Sequence, residues 1–134
     1  IIRFLLERFP AAIRATDVDG WSPLHYACCN KNVTPDIIQL LVDAAPDSIR
    51  SVNIHGRMPL HHLCRNEGLD ERAALTILKL LIERHPEAVR HANNNGILPI
   101  HIAAITSKPP EFCRELIEAF PGSERISGVI GGLP

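Results

Sequence analysis

A nine-residue segment that ends at a proline recurs four times in this chain of 134 residues. The prolines are Pro10, Pro46, Pro86 and Pro121, at successive spacings of 36, 40 and 35 residues. The segments before them read IIRFLLERF, IIQLLVDAA, ILKLLIERH and FCRELIEAF. Apolar residues occupy the first, second, fifth and sixth positions of each segment, and these positions share one face of a helix. The recurrence therefore predicts four amphipathic helices, each ended by its proline.

The same register continues beyond each proline, so the repeating unit is longer than one helix. An arginine follows four residues after the proline, a glycine after ten and a second proline after thirteen. Three units then continue into Leu-His or Ile-His, which places His25, His61 and His101 at equivalent positions. The second proline predicts the start of a further helix, because proline is favoured at the first helical position.

The segments 17–25, 53–61 and 93–101 read DVDGWSPLH, NIHGRMPLH and NNNGILPIH. They resemble the D-x-x-G-x-T-P-L-H signature of the ankyrin repeat, in which a turn opens a short inner helix. The small-residue pairs after the histidine also match: Ala27-Cys28, Leu63-Cys64 and Ala103-Ala104. The chain departs from the family where Thr is replaced by Ser22, Met58 and Leu98, and where proline replaces Gly-Ala after the outer helix. The resemblance implies an all-α fold, a solenoid of stacked helix-turn-helix units with short hairpin fingers.

The register divides residues 1–134 into one array. Residues 1–16 correspond to the outer helix of a truncated repeat, 17–52, 53–92 and 93–127 to three complete repeats, and 128–134 to the start of another. We expect outer helices near 1–9, 35–45, 71–85 and 110–120, and inner helices near 23–30, 59–66 and 99–106. Since both ends match only part of a repeat, we expect the chain to be a piece of a longer array.

Composition narrows the choice of partner and compartment. The net charge is −1 and the basic residues are scattered among acids, which argues against nucleic acid as a partner. No apolar run is long enough to insert into a membrane. The four cysteines lie inside apolar, helix-like runs, where reduced cysteine behaves as a small hydrophobe. This favours a reducing, intracellular compartment, the cytoplasm in preference to the nucleus.

Histidine and cysteine supply the only candidates for chemistry. The recurrence of His25, His61 and His101 indicates a structural role in each unit. His62 and Cys64 on one inner helix, with Cys28 on its neighbour, are the remaining candidate metal ligands, an alternative that the sequence leaves open. Zinc requires three or four ligands, and no second paired motif is present. We therefore predict no metal site, no cofactor and no enzymatic activity.

Positions that vary between repeats are the candidates for contact with a partner. In the ankyrin family, partners are usually bound by the finger tips and the exposed face of the inner helices. The resemblance carries this role to Val18, Asp19, Trp21, Cys29 and Asn30, to Ile54, His55, Arg57, Arg65 and Asn66, and to Asn94, Asn95, Ile97, Ile105 and Thr106. Trp and Arg often dominate the energetics of protein interfaces. Trp21 has a second interpretation, in which it covers apolar surface of the neighbouring finger.

These features favour a scaffold for protein–protein interaction. The mixed character of the candidate positions suggests a peptide or protein partner that is neither strongly acidic nor strongly basic, and no small-molecule substrate is evident. The alternative is an ankyrin segment that regulates a larger enzyme or channel by binding within the same protein.

Overall fold

The computed structural model describes residue 8 and residues 14–123. Six α-helices occur in these residues: α1 (Pro23–Cys29), α2 (Pro35–Ala44), α3 (Pro59–Arg65), α4 (Glu71–Arg84), α5 (Pro99–Ile105) and α6 (Pro110–Ala119). No strand occurs in the described part of the chain, so the predicted all-α class is confirmed. Apart from Arg8, the helix predicted near 1–9 lies outside the described residues, as does the partial repeat 128–134.

The helices form two layers. The inner helices α1, α3 and α5 pack side by side, and the outer helices α2, α4 and α6 form a second row behind them. Each inner helix also packs on the outer helix that follows it, so the chain builds three stacked helix pairs. The exact repeat boundaries remain a prediction from the register.

Each inner helix begins at a proline whose preceding residue is extended. Before α1, Ser22 donates its backbone N–H to Nδ1 of His25 (3.0 Å), and its hydroxyl accepts the backbone N–H of His25 (3.3 Å). Met58 and Leu98 have no hydroxyl, yet their backbone N–H groups donate to Nδ1 of the equivalent histidines at 3.0 and 3.1 Å. The histidine therefore supplies a helix cap in all three units, including the two that lack the family's Thr.

The outer helices α2 and α4 begin at a side-chain cap, and each is followed by a 3-10 helix. The Thr34 side chain accepts the Ile37 N–H at the start of α2, and the Asp70 carboxylate accepts the Ala73 N–H at the start of α4. After α2 and α4 the chain forms two 3-10 helices, Pro46–Arg50 and Pro86–Arg90, that the sequence analysis did not predict.

The core lies between the two layers. Its fully buried large side chains come from both the inner and the outer helices: Leu24, Ile38, Leu41, Leu60, Leu63, Ile77, Leu78, Leu81, Phe112 and Leu116. Burial of one such side chain stabilises the fold by about 1.5–3 kcal/mol. The hydrophobic effect between layers is therefore the main source of stability.

Polar side chains at the ends of the inner helices connect neighbouring repeats. Asn66 donates its amide to the carbonyl oxygens of Cys28 (3.0 Å) and Asn30 (3.1 Å). At the next junction, Thr106 donates its hydroxyl to the carbonyl oxygen of Cys64 (2.8 Å). These bonds satisfy carbonyl groups that the end of a helix leaves without an intrahelical partner.

Candidate partner-binding face

Three fingers project from the inner helices, and each is closed by one polar side chain. A side-chain oxygen of Asp17 accepts the backbone N–H groups of Asp19 and Trp21, both at 2.9 Å. Asn53 and Asn93 make the equivalent pairs of bonds at distances of 2.8–3.1 Å. These bonds hold the backbone of each tip in one geometry.

Adjacent fingers are connected through their backbones. The Ile54 N–H donates to the Asp19 carbonyl at 2.9 Å, and the Asn94 N–H donates to the His55 carbonyl at the same distance. The Asn94 side chain adds a bond to the Ile54 carbonyl at 2.8 Å. In the described residues, adjacent fingers are thus joined by isolated bridging hydrogen bonds and not by paired strands. The three tips form one connected surface.

The predicted contact residues differ widely in exposure. Six at the tips are exposed: Val18, Asp19, Ile54, His55, Asn94 and Asn95. Four more are exposed at the ends of the inner helices or just after them: Cys29, Asn30, Arg65 and Ile105. Trp21, Arg57 and Thr106 are half-buried. Ten of the fifteen predicted positions are therefore exposed in the structure.

Two predicted positions are buried. Ile97 is 8% exposed and Asn66 is 7% exposed, and the Asn66 amide is already bonded to the preceding repeat. Neither side chain offers surface to a partner in this conformation. Asn66 joins two repeats and Ile97 is part of the hydrophobic core. The variation of these positions between repeats did not indicate either role.

Trp21 belongs to an aromatic cluster at the junction of the first two repeats. Its ring centroid lies 4.4 Å from that of His62 and 5.0 Å from that of Tyr26. His62 in turn accepts a hydrogen bond at Nε2 from the Asn53 amide (3.2 Å). Trp21 therefore packs on the inner helix of the neighbouring repeat through His62, and the remainder of its ring lines an open cleft.

That cleft is the clearest concavity on the predicted face. It has a volume of about 390 Å³ and is lined by Trp21, Cys29, Arg57, His62, Arg65 and Asn66. The sequence analysis included all of these except His62, which it had considered only as a metal ligand. The position of His62 in the repeat, one residue after the recurring His61, could have indicated that it lines this face.

The recurring histidines are part of the stack. His25 and His61 each accept a backbone N–H at Nδ1, so the proton must lie on Nε2, which donates to a carbonyl of the next repeat. The acceptors are Arg57 (3.0 Å) and His91 (2.9 Å). Burial lowers the pKa of His25, and it lowers the pKa of His61 to about 4. Both rings are therefore neutral structural groups at physiological pH.

His62, Cys64 and Cys28 were the candidate metal ligands that the sequence left open as an alternative. Within residue 8 and residues 14–123, no three His, Cys, Asp or Glu side chains are grouped to hold a metal ion. Burial raises the pKa of both cysteines far above its ordinary value, and all four cysteines are free thiols. Burial, reinforced by neighbouring positive charges, lowers the pKa of His62 to about 3.

The fold and its connected fingers define a helical-repeat solenoid. The family model described as ankyrin repeats in three copies matches residues 1–88, so this chain belongs to the ankyrin-repeat family. The helix pair α5 and α6 continues the same architecture beyond the matched range. No curated protein matches the chain. In the part of the chain that the structure describes, no helix has the length and apolarity needed to cross a bilayer.

Proposed function

We propose that this ankyrin array is a protein-binding module whose contact surface is formed by the finger tips and the exposed side of the inner helices. One observation carries the proposal. The large exposed hydrophobic residues of the described chain all lie in the fingers or on the inner helices: Val18, Tyr26, Val52, Ile54 and Ile105. Exposed apolar side chains concentrated on one side are typical of an interaction surface.

The outer row provides the contrast. The exposed side chains of α4 are polar or charged, as at Arg72, Lys79 and Glu83, and α6 exposes Arg114 and Glu118. Such a surface is well solvated and offers little apolar area for burial. The difference between the two sides supports binding through the fingers and inner helices.

The proposal is tested by capture of partners from a lysate with the chain as bait. A Val18→Ser, Ile54→Ser variant removes exposed apolar groups from two tips and should fold normally, because neither side chain is in the core. The matched control is Lys79→Ser, Glu83→Ser on the outer row. We expect one set of proteins to bind the wild type and the control and to be lost from the tip variant.

Equal capture by all three baits would overturn the assignment of the surface. Capture by none of them would favour the alternative function, in which the array binds a segment of its own protein.

A further inference from the structure

We propose that the cleft at the junction of the first two complete repeats, defined by Trp21, Cys29, Arg57, His62, Arg65 and Asn66, is a subsite for a carboxylate side chain of an extended partner peptide. The proposal rests on the proposed protein-binding function and names the chemistry that one part of the face recognises.

Two guanidinium groups in this cleft have no counter-charge. The three ion pairs in the described part of the chain involve other residues, so neither Arg57 nor Arg65 is paired with a carboxylate there. Within the same residues, Nε of Arg57 is buried and has no hydrogen-bond partner. This buried N–H is out of reach of a ligand in the cleft, so an incoming carboxylate would be bound by the terminal NH2 groups of the two guanidinium groups.

The charges around the cleft are positive. Burial and the nearby charge of Arg65 lower the pKa of Arg57, and no carboxylate contributes. The positive charges of Arg57 and Arg65 also act on His62, whose pKa falls mainly through burial. The two acids of the first finger, Asp17 and Asp19, do not line the cleft, and Asp17 is engaged by the Tyr26 hydroxyl and by its own turn. Of the residues that line the cleft, the two arginines are charged and none is a carboxylate, so an anionic group there would lie beside two cations.

The arginines are flanked by apolar side chains at equivalent positions of the adjacent repeats. Arg57 corresponds to Trp21 in the first repeat, and Arg65 corresponds to Ile105 in the third. Ile105 is 56% exposed, and Trp21 is half-buried with part of its ring facing the cleft. Trp21 lies before the start of α1 and Ile105 at the end of α5, so a peptide that contacts both, with the two cations between them, would cross the inner helices obliquely.

The spacing favours a peptide in the polyproline II conformation. The inner helices pack side by side, and packed helices are about 8–10 Å apart. A polyproline II chain advances about 9 Å every three residues and returns its side chains to the same face. An acidic residue with apolar residues three positions before and after it would therefore fit one side chain to each repeat.

The probe is the blocked peptide Gly-Leu-Pro-Ser-Glu-Pro-Ser-Leu-Gly, with versions that carry Gln, phosphoserine or Lys in place of Glu. Trp21 is the only tryptophan, so its fluorescence reports on this cleft alone. Cys29 gives a second local signal, because its exposed thiol lines the cleft. Alkylation measured by peptide mapping should slow at Cys29 and be unchanged at Cys113 on α6.

We expect the Glu peptide to change Trp21 fluorescence, to protect Cys29, and to bind at least about tenfold more tightly than the Gln peptide, since hydrogen bonds to charged groups are strong. The affinity should fall as salt rises. Arg65→Gln should abolish the preference for Glu, while Arg114→Gln, the same change of charge on the outer row, should keep it. Arg65→Glu should shift the preference toward the Lys peptide.

Equal binding of the Glu and Gln peptides, or binding without any signal at Trp21 and Cys29, would overturn the proposal. Absence of binding by every peptide would overturn it as well. A phosphoserine peptide that binds tenfold more tightly than the Glu peptide would overturn the choice of a carboxylate. A captured partner that is lost on Val18→Ser, Ile54→Ser but retained on Arg65→Gln would reject this subsite and leave the protein-binding function intact.

Discussion

The recurring histidine makes two kinds of hydrogen bond, one within its own unit and one to the next repeat. Its Nδ1 accepts the backbone N–H that opens the inner helix, and its Nε2 reaches a carbonyl of the next repeat in the units of His25 and His61. The recurrence of the residue predicted a structural role, but the sequence does not name the acceptors. The acceptors are backbone groups some thirty residues away, whose positions depend on the stacking of the repeats.

Exposure was the property that the sequence predicted least well at the residue scale. Residues at the same position of successive repeats have Cα–Cβ bonds in the same direction, so the sequence predicted that Trp21, Arg57 and Ile97 share one side. It does not fix how much of each side chain the neighbouring repeat covers. Ile97 is therefore buried, while Trp21 and Arg57 are half-buried.

A glycine at a finger tip and a second one in the turn after α6 allow a prediction with an internal control. Gly56 and Gly122 both have positive φ, at 74° and 87°, so alanine is strained at each. A Cβ on Gly56 would lie 2.9 Å from the backbone N of Asn94, whereas a Cβ on Gly122 would meet no described residue within 4 Å. We expect Gly122→Ala to lower the free energy of unfolding by about 1 kcal/mol. Gly56→Ala should cost clearly more.

Chemical denaturation of the two variants measures the difference. Equal losses of stability would mean that the contact between the second and third fingers imposes no steric limit.

At the scale of the helices, the pattern of apolar and polar residues was sufficient to predict the ranges of α1 to α6. The helices α1 to α6 lie within a few residues of their predicted ranges, because each combines an apolar stripe with a proline, Thr34 or Asp70 at its start. The 3-10 helices were missed. Five residues are too few for periodicity to detect, although the recurring Pro-x-x-(Ile/Val)-Arg spacing marks both segments.

The 3-10 helix Pro46–Arg50 is expected to be part of the core. Ile49 is 3% exposed, and Val52, three residues later, is 45% exposed. Ile49→Ala should lower the free energy of unfolding by about 2–5 kcal/mol, because it leaves a cavity. Val52→Ala should change it by less than about 0.5 kcal/mol. Thermal unfolding measures the difference. Equal Tm values for the two variants would show that Ile49 contributes no more to the core than Val52 does.

At the scale of the whole molecule, buried histidines make stability depend on pH. The pKa values of His61 and His62 are about 4 and about 3 in the folded chain, below their ordinary value near 6.5. The unfolded chain therefore binds more protons between these limits. The stability contributed by the neutral rings is fully present above pH 6.5 and is lost as the pH falls toward 4 and then 3.

Between pH 7 and pH 5, we expect the free energy of unfolding to fall with a slope that approaches about 1.4 kcal/mol per pH unit for each such histidine. His62→Phe keeps an aromatic ring against Trp21 and removes one titrating group, so its slope should be smaller. Asn95→Gln, at an exposed finger tip, removes no titrating group and should keep the slope of the wild type. Urea titrations at several pH values would count against this account if all three slopes were equal.

The side-chain hydrogen bonds that join successive repeats have a further consequence. Their donors are side chains, but their acceptors are main-chain carbonyl groups of Cys28, Asn30, Arg57, Cys64 and His91. Every amino acid supplies such a carbonyl, so these bonds do not depend on which residue the adjoining unit carries there. Duplication, deletion or exchange of a unit would preserve them, and the surface residues could diverge after such an event without loss of the bonds that join the units.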